Sequence, residues 1–109
     1  MADGKGDGVK ELAAAVGRIP SGLFIVTARN GSGETGFLAS WVQQCSFDPP
    51  QLSLALKRDR EIGKWLTAGV GFTLNILDDT ETDMIVHFGK GFKADEPAFE
   101  GLDIKHLRE

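Results

Sequence analysis

Gly36-Phe37-Leu38-Ala39-Ser40-Trp41-Val42-Gln43-Gln44-Cys45-Ser46-Phe47-Asp48-Pro49-Pro50 packs small residues, hydroxyls and aromatics ahead of a Pro-Pro stop. Read on its residues alone, it is a buried strand that bends into a second extended piece and ends where proline removes the backbone donor. Upstream, Leu23–Arg29 is a near-continuous apolar run with Ile25, Val26 and Thr27 at its centre, the composition of a strand covered on both faces. Between the two lies Asn30-Gly31-Ser32-Gly33-Glu34, whose residues tolerate positive φ, so the strands are expected to pair as a hairpin. Downstream, Leu52, Leu54 and Leu56 alternate with Ser53, Ala55 and Lys57, the period of a strand with one buried face.

The remaining chain supplies short helices and one further strand. Val9, Leu12, Ala13 and Val16 fall at helical spacing, giving a two-turn amphipathic helix that Gly17 stops; Met1–Gly8 before it reads as a disordered, linker-like start. Asp59 is the expected N-cap of a helix carrying Ile62, Trp65 and Leu66 on one face, closed by Gly69 or Gly71. Phe72, Leu74 and Ile76 alternate with Thr73, Asn75 and Leu77 as a strand. Thr80 and Asp83 form a capping-box pattern before a last helix whose apolar face is Met84, Ile85 and Phe88. From Gly89 onward periodicity fades. The expected domain runs from residue 9 to 109, a mixed set dominated by antiparallel connections, with one parallel pairing left open by the crossover at 57–71.

Composition narrows the function classes. A chain of 109 residues with 41% apolar content sets a prior of one domain with one core. The net charge of −4 argues against a non-specific grip on nucleic acid, which needs a concentrated basic face. No apolar run approaches the roughly 18 residues of a membrane span, and the first eight residues lack a signal-peptide core. A single cysteine forbids an internal disulfide and suits a reducing compartment; in its apolar context Cys45 reads as an inert buried thiol.

Familiar catalytic signatures are missing. No G-x-G-x-x-G joins a strand to a helix, and Gly31-Ser32-Gly33 has no lysine behind it, so it reads as a turn rather than a phosphate loop. His87 and His106 share no metal-ligand spacing. Ser40, His87 and Asp48 make a triad only on paper, since no G-x-S-x-G elbow presents the serine. The bland readings are small strand residues for Ser40 and Ser46, core or interface positions for Trp41, Phe47 and Trp65, and a solvated helix pair for Asp83 and His87.

The motifs nevertheless form an ordered set. Ala39-Ser40 followed by Ser46-x-x-Pro49-Pro50 resembles the "T-A-S-S-F-x-S-V-S-x-x-P-P" pattern of flavin reductase-like proteins. Gly17-Arg18-Ile19-Pro20-Ser21-Gly22 is similar to that family's entry helix and turn, Phe72-Thr73-Leu74-Asn75-Ile76-Leu77 to its "F-x-V-N-V-L" strand, and His87-Phe88 to its aromatic helix end. "L-A-S-W-V-x-Q" and "S-F-D-P-P" resemble most closely the C-terminal flavin reductase module of diflavin flavodiiron proteins. The likeness runs from about Val9 to His106.

The resemblance implies an FMN-binding split barrel, a mainly β, antiparallel Greek-key barrel with short helices that forms a homodimer in relatives. It implies FMN, or FAD, as cofactor and NAD(P)H as electron donor, so the expected partners are a flavin, a nicotinamide nucleotide and a second copy of the chain. Carried over residue by residue, the cofactor contacts are Leu38, Ala39, Ser40, Trp41, Ser46, Arg60, Asn75, His87 and Phe88, with no catalytic acid, base or metal. Lys57 and Arg58 add charge beside Arg60. Leu38, Trp41 and Gln44 stand where many members have Thr, Ser and Ser. The family continues past this point with closing strands, so the resemblance implies a truncated barrel at Glu109. The expected activity is NAD(P)H:flavin oxidoreductase in the cytoplasm, or in a chloroplast stroma. The alternatives are a non-catalytic flavin-binding or dimerisation module and an inactive fragment of a larger protein.

Overall fold

The computed structural model describes residues 7–93 and 95–104. The linker-like start, apart from Asp7 and Gly8, and His106 lie outside them. The elements are α1 (Asp7–Val16), β1 (Phe24–Asn30), β2 (Gly33–Ala39), β3 (Val42–Phe47), β4 (Pro50–Leu54), α2 (Glu61–Thr67), β5 (Phe72–Ile76) and α3 (Thr82–Gly89). β1 is the centre of a three-stranded sheet ordered β2-β1-β5, while β3 and β4 form a separate two-stranded ribbon; every pairing is antiparallel. The sheets do not close on one another into a barrel among the described residues.

The central place of β1 follows from its composition. Ile25 is 3% exposed and its neighbour Val26 0%, so adjacent side chains on opposite faces are both buried. Val26, Ala28, Phe37 and Ala39 build one core with Ile62 of α2, and Trp65, Leu66 and Leu74 pack around it. Ile25 builds the other with Phe88 of α3 and Ala98. The expected hairpin is present and tighter than the loop-rich sequence suggests: Asn30 pairs with Gly33 across Gly31-Ser32, and Gly31 takes the positive φ of 64° that the turn requires.

The stretch at the centre of the sequence divides as expected. β2 ends at Ala39, the chain crosses at Ser40-Trp41, and β3 carries it into the ribbon. β3 turns at Asp48-Pro49 into β4, and the Asp48–Pro49 peptide is cis. A bulge at Cys45 shifts the register, so that Gln44 faces Leu52 and Ser46 faces Gln51.

Several local expectations are corrected. The apolar stripe of α1 is not buried: Val9, Leu12 and Val16 are each more than half exposed. Helical periodicity marks a face but not a partner for it. Leu52 is likewise exposed, because β4 pairs in an outlying ribbon whose inner end alone, Val42 and Leu54, reaches the core. Cys45 is exposed rather than buried, since the bulge and the ribbon leave it outside. Arg60, not Asp59, holds the N-cap position of α2, without a side-chain cap, while Gly69 closes the helix at φ 94°.

Glu81 precedes α3, and the Thr80–Asp83 capping box does not form. Asp78 takes Thr80 instead, accepting from its amide at 2.8 Å and its hydroxyl at 2.5 Å. The Thr80 hydroxyl holds the Asp78 carboxyl below the usual aspartate range, with the Thr80 amide adding to the effect.

After α3 the chain is irregular yet structural. Phe92, Phe99 and Leu102 pack with Leu38 and Met84 against Ile25, Phe88 and Ala98. His87 on α3 fixes this segment by donating from Nε2 to the Ala98 carbonyl at 2.6 Å.

Candidate functional site

Ser40 and Trp41 occupy the crossing between the two sheets, and this position defines the site. Trp41 is 65% exposed, so its ring is an apolar surface open to a ligand or a partner rather than part of the core. Its carbonyl accepts from the Ala55 amide at 3.0 Å, which continues the β3–β4 pairing and brings the segment following β4 alongside the crossing. That segment is Leu56-Lys57-Arg58-Asp59-Arg60, and it runs directly into α2.

A recess of about 520 Å3 lies there, with Lys57, Arg58, Arg60 and Lys64 among its lining and no carboxylate. Three cations on one short loop and a fourth, Lys64, in the last turn of the seven-residue helix that follows make a local positive field in a chain whose net charge is negative. Lys64 was not among the residues singled out from sequence; the signal was its place on the helix that directly follows the Lys57-Arg58-Asp59-Arg60 segment. The Arg60 guanidinium lies 4.7 Å from the centroid of the Phe37 ring, a cation–π contact that orients it over β2.

The other candidate residues divide between the two faces of the central sheet. Ala39 is buried on the α2 face with Phe37, the face over which Arg60 lies. Leu38 and Asn75 flank Ile25 from either side, paired with it in register, and so share the α3 face at the sheet end nearest Ser40. The Asn75 amide donates to the Ile25 carbonyl at 2.9 Å, leaving the side-chain oxygen as its free acceptor in that direction. Ser46 is half-buried just past the bulge, beside exposed Phe47.

Phe88 is 4% exposed, in T-shaped contact with His87 at 4.8 Å between centroids. The His87 ring also lies 5.0 Å from Phe92. These two residues therefore sit in the aromatic core beneath the α3 face, His87 with Nε2 engaged by Ala98. The structure thus gathers Leu38, Ser40, Trp41 and Asn75 at one sheet end and sets Arg60 on the opposite face.

Among the described residues, no cluster of three or more His, Cys, Asp or Glu could hold a metal ion, and no helix is long and apolar enough to cross a membrane. The site offers cations, hydroxyls, one carboxamide and open aromatic surface, the groups that hold a phosphorylated, partly aromatic molecule.

Comparison with known proteins points the same way. Residues 16–108 match the family model described as flavin reductase like domain. Diflavin flavoprotein A 1 of Synechocystis sp. is 40% identical over 93 residues, which cover 84% of this chain and 16% of that protein. The structure of the Streptomyces globisporus C-1027 NADH:FAD oxidoreductase SgcE6 superposes with a TM-score of 0.75 at 26% identity, covering 89% of this chain and 56% of that one. The chain therefore spans about a sixth of the length of the curated relative and just over half of the solved one.

Proposed function

The chain belongs to the flavin reductase like domain family, and from that premise we propose that it is a flavin-binding oxidoreductase domain that draws hydride from NADH or NADPH. The observation that carries the proposal is the acid-free basic recess of Lys57, Arg58, Arg60 and Lys64 beside the Ser40–Trp41 crossing. A flavin phosphate is a dianion and needs clustered positive donors; a recess of this composition fits it.

The chain's own residues then have separable tasks. Arg60 and Lys64 hold the phosphate, with Arg60 oriented by the Phe37 ring. Ser40 offers a hydroxyl at the crossing and Ser46 a second one in the ribbon, while Ala39 keeps the backbone there closely approachable. Trp41 covers apolar ring surface. Asn75, on the sheet face opposite Arg60 and with its amide fixed by Ile25, offers its carboxamide oxygen to a ring edge that passes round the sheet end at Ser40. Leu38, Phe88 and His87 support these groups from beneath, through the core of the α3 face. Flavin, when bound, supplies the hydride acceptance; the protein supplies binding, orientation and electrostatics.

A second copy of the chain completes the reading. Phe47 at 85% exposure and Leu52 are apolar residues of the ribbon that one chain leaves uncovered, and a homodimer would bury them. An aqueous, reducing compartment, cytoplasm or chloroplast stroma, suits the exposed free Cys45.

The test is retention of FMN. The chain is saturated with FMN, freed of excess and assayed for bound chromophore. Replacing both Arg60 and Lys64 by Ala is expected to weaken binding by about tenfold or more. Unchanged affinity in the double variant would remove the recess from the site, and no retained flavin in the unaltered chain would overturn the proposal.

A further inference from the structure

The β1–β2 turn sets an asparagine directly before a glycine, Asn30-Gly31, at the sheet end remote from the Ser40 crossing. Both residues are exposed, and nothing stands within 4 Å of where a Gly31 side chain would begin. Gly31 has a φ of 64° and no described residue other than glycine has a positive φ, so Ser32 does not. Glycine at the first central position and a negative φ at the second is the type II′ pattern. The ladder ends at the Asn30–Gly33 pair, which leaves the Gly31 amide outside it. No hydrogen bond to another described residue holds the Asn30 carboxamide.

Such a pair carries its own chemistry. The Gly31 backbone nitrogen attacks the Asn30 side-chain carbonyl carbon and closes a five-membered succinimide. The N–Cγ bond forms, the bond from Cγ to the side-chain nitrogen breaks, and ammonia leaves with the backbone amide proton. Water then adds to one of the two ring carbonyls and opens the ring. Opening at the side-chain carbonyl leaves aspartate. Opening at the backbone carbonyl, the more electrophilic of the two, leaves isoaspartate, with the main chain routed through the former side chain. Glycine favours closure because it has no side chain to crowd the attacking nitrogen.

The fold sets the pace. An extended residue holds the next backbone nitrogen away from its own side-chain carbonyl, so closure at Asn30 waits until the turn opens. Opening costs little here. The last two pairs, Asn30–Gly33 and Arg29–Glu34, contain no buried residue; the first buried pair is Ala28–Thr35. The Arg29–Glu34 ion pair, 3.6 Å apart at the surface, adds little restraint. A tip of this kind lies at the low end of local opening energies. Asn75, the second asparagine of the chain, is the internal contrast. It lies within β5, its amide donates to the Ile25 carbonyl at 2.9 Å, and the residue behind it is β-branched Ile76.

We infer that Asn30 is a modification site, which deamidates through a Gly31 succinimide to isoaspartate and aspartate as the β1–β2 turn frays, while Asn75 keeps its amide. The inference owes nothing to a bound flavin. Either product adds one negative charge beside the Arg29–Glu34 pair. The isoaspartyl product also adds a methylene to the main chain, and a two-residue turn that closes Asn30 on Gly33 has no slack to absorb it. A Cβ on Gly33 would stand 3.6 Å from the Trp65 ring, so the distortion reaches α2.

The experiment holds the full chain for days at mildly alkaline pH, cleaves it, and maps the peptides carrying residues 30 and 75 by mass and by separation of the isoaspartyl form. Residue 30 is expected to convert at least about tenfold faster than residue 75, with isoaspartate exceeding aspartate. A synthetic peptide of residues 26–34, in which nothing holds the turn closed, is expected to convert about tenfold faster than the chain. An intact Asn30 in the chain under conditions that convert the peptide would overturn the site. Aspartate without isoaspartate would exclude the succinimide, and equal rates in chain and peptide would overturn the pacing by the turn. The isolated isoaspartyl chain is expected to melt a few degrees below the Asn30→Asp variant, which carries the same charge on an ordinary backbone. Equal midpoints would overturn the distortion.

Discussion

Thr35 buries a hydroxyl that nothing among the described residues satisfies, a burden of roughly 1–3 kcal/mol against a paired one. Valine has nearly the same shape without the polar atom, so Thr35→Val is expected to stabilise the unliganded chain by about 1 kcal/mol, or roughly 5 °C in a domain of this size. A thermal melt decides it, and an unchanged or lower midpoint would mean that the hydroxyl is already satisfied. Asp78 is the opposite case, a carboxylate held ionised by two hydrogen bonds from Thr80. Its folded pKa is lowered, so the stability it contributes is present above the unfolded aspartate value, about pH 4, and is lost as pH falls through the lower folded value. Thr80→Ala, which removes the first cause of the shift, is expected to raise the Asp78 pKa toward the ordinary range in a carboxyl NMR titration. An unmoved titration would show that the Thr80 amide alone holds it.

At the scale of elements, strands were legible where alternation and burial agree. Ile25 and Val26 announced a strand covered on both faces, and the small residues after Gly36 announced close packing. Gly36 shows how close: a Cβ there would stand 3.1 Å from the Phe88 ring and from the Thr27 methyl, and 3.2 Å from the Val26 carbonyl. Gly36→Ala is therefore expected to destabilise the domain by about 1–3 kcal/mol in denaturant unfolding, because the Val26 carbonyl belongs to the central strand and cannot retreat. A loss below a few tenths of a kcal/mol would show that Phe88 gives way freely. Helix ends were less legible, because the hydroxyl of a Thr can serve a nearby carboxylate as readily as a helix amide, as Thr80 does with Asp78. The segment after Gly89 was illegible. Phe92, Ala98, Phe99 and Leu102 complete the second core at irregular spacing, and periodicity detects only regular elements.

For the molecule as a whole, four of the residues named from sequence, Leu38, Ser40, Trp41 and Asn75, lie at one sheet end, and no sequence feature told that the sheet lies between Arg60 and Asn75. Strand parity follows from sequence; the face on which a later helix lands does not. The uncovered ribbon bears on assembly. Phe47 at 85% exposure contributes little to the fold of one chain, so Phe47→Glu is expected to leave the melting midpoint within about 1–2 °C while shifting sedimentation from dimer toward monomer. A dimer that survives the change would place the interface elsewhere. The most direct measurement is anaerobic: the chain loaded with FMN is mixed with NADH or NADPH and its visible flavin absorption is followed. Bleaching of the bound flavin by at least one of the two is the expected result. Flavin that stays bound and oxidised with both would contradict the oxidoreductase assignment and leave a domain that holds the cofactor without reducing it.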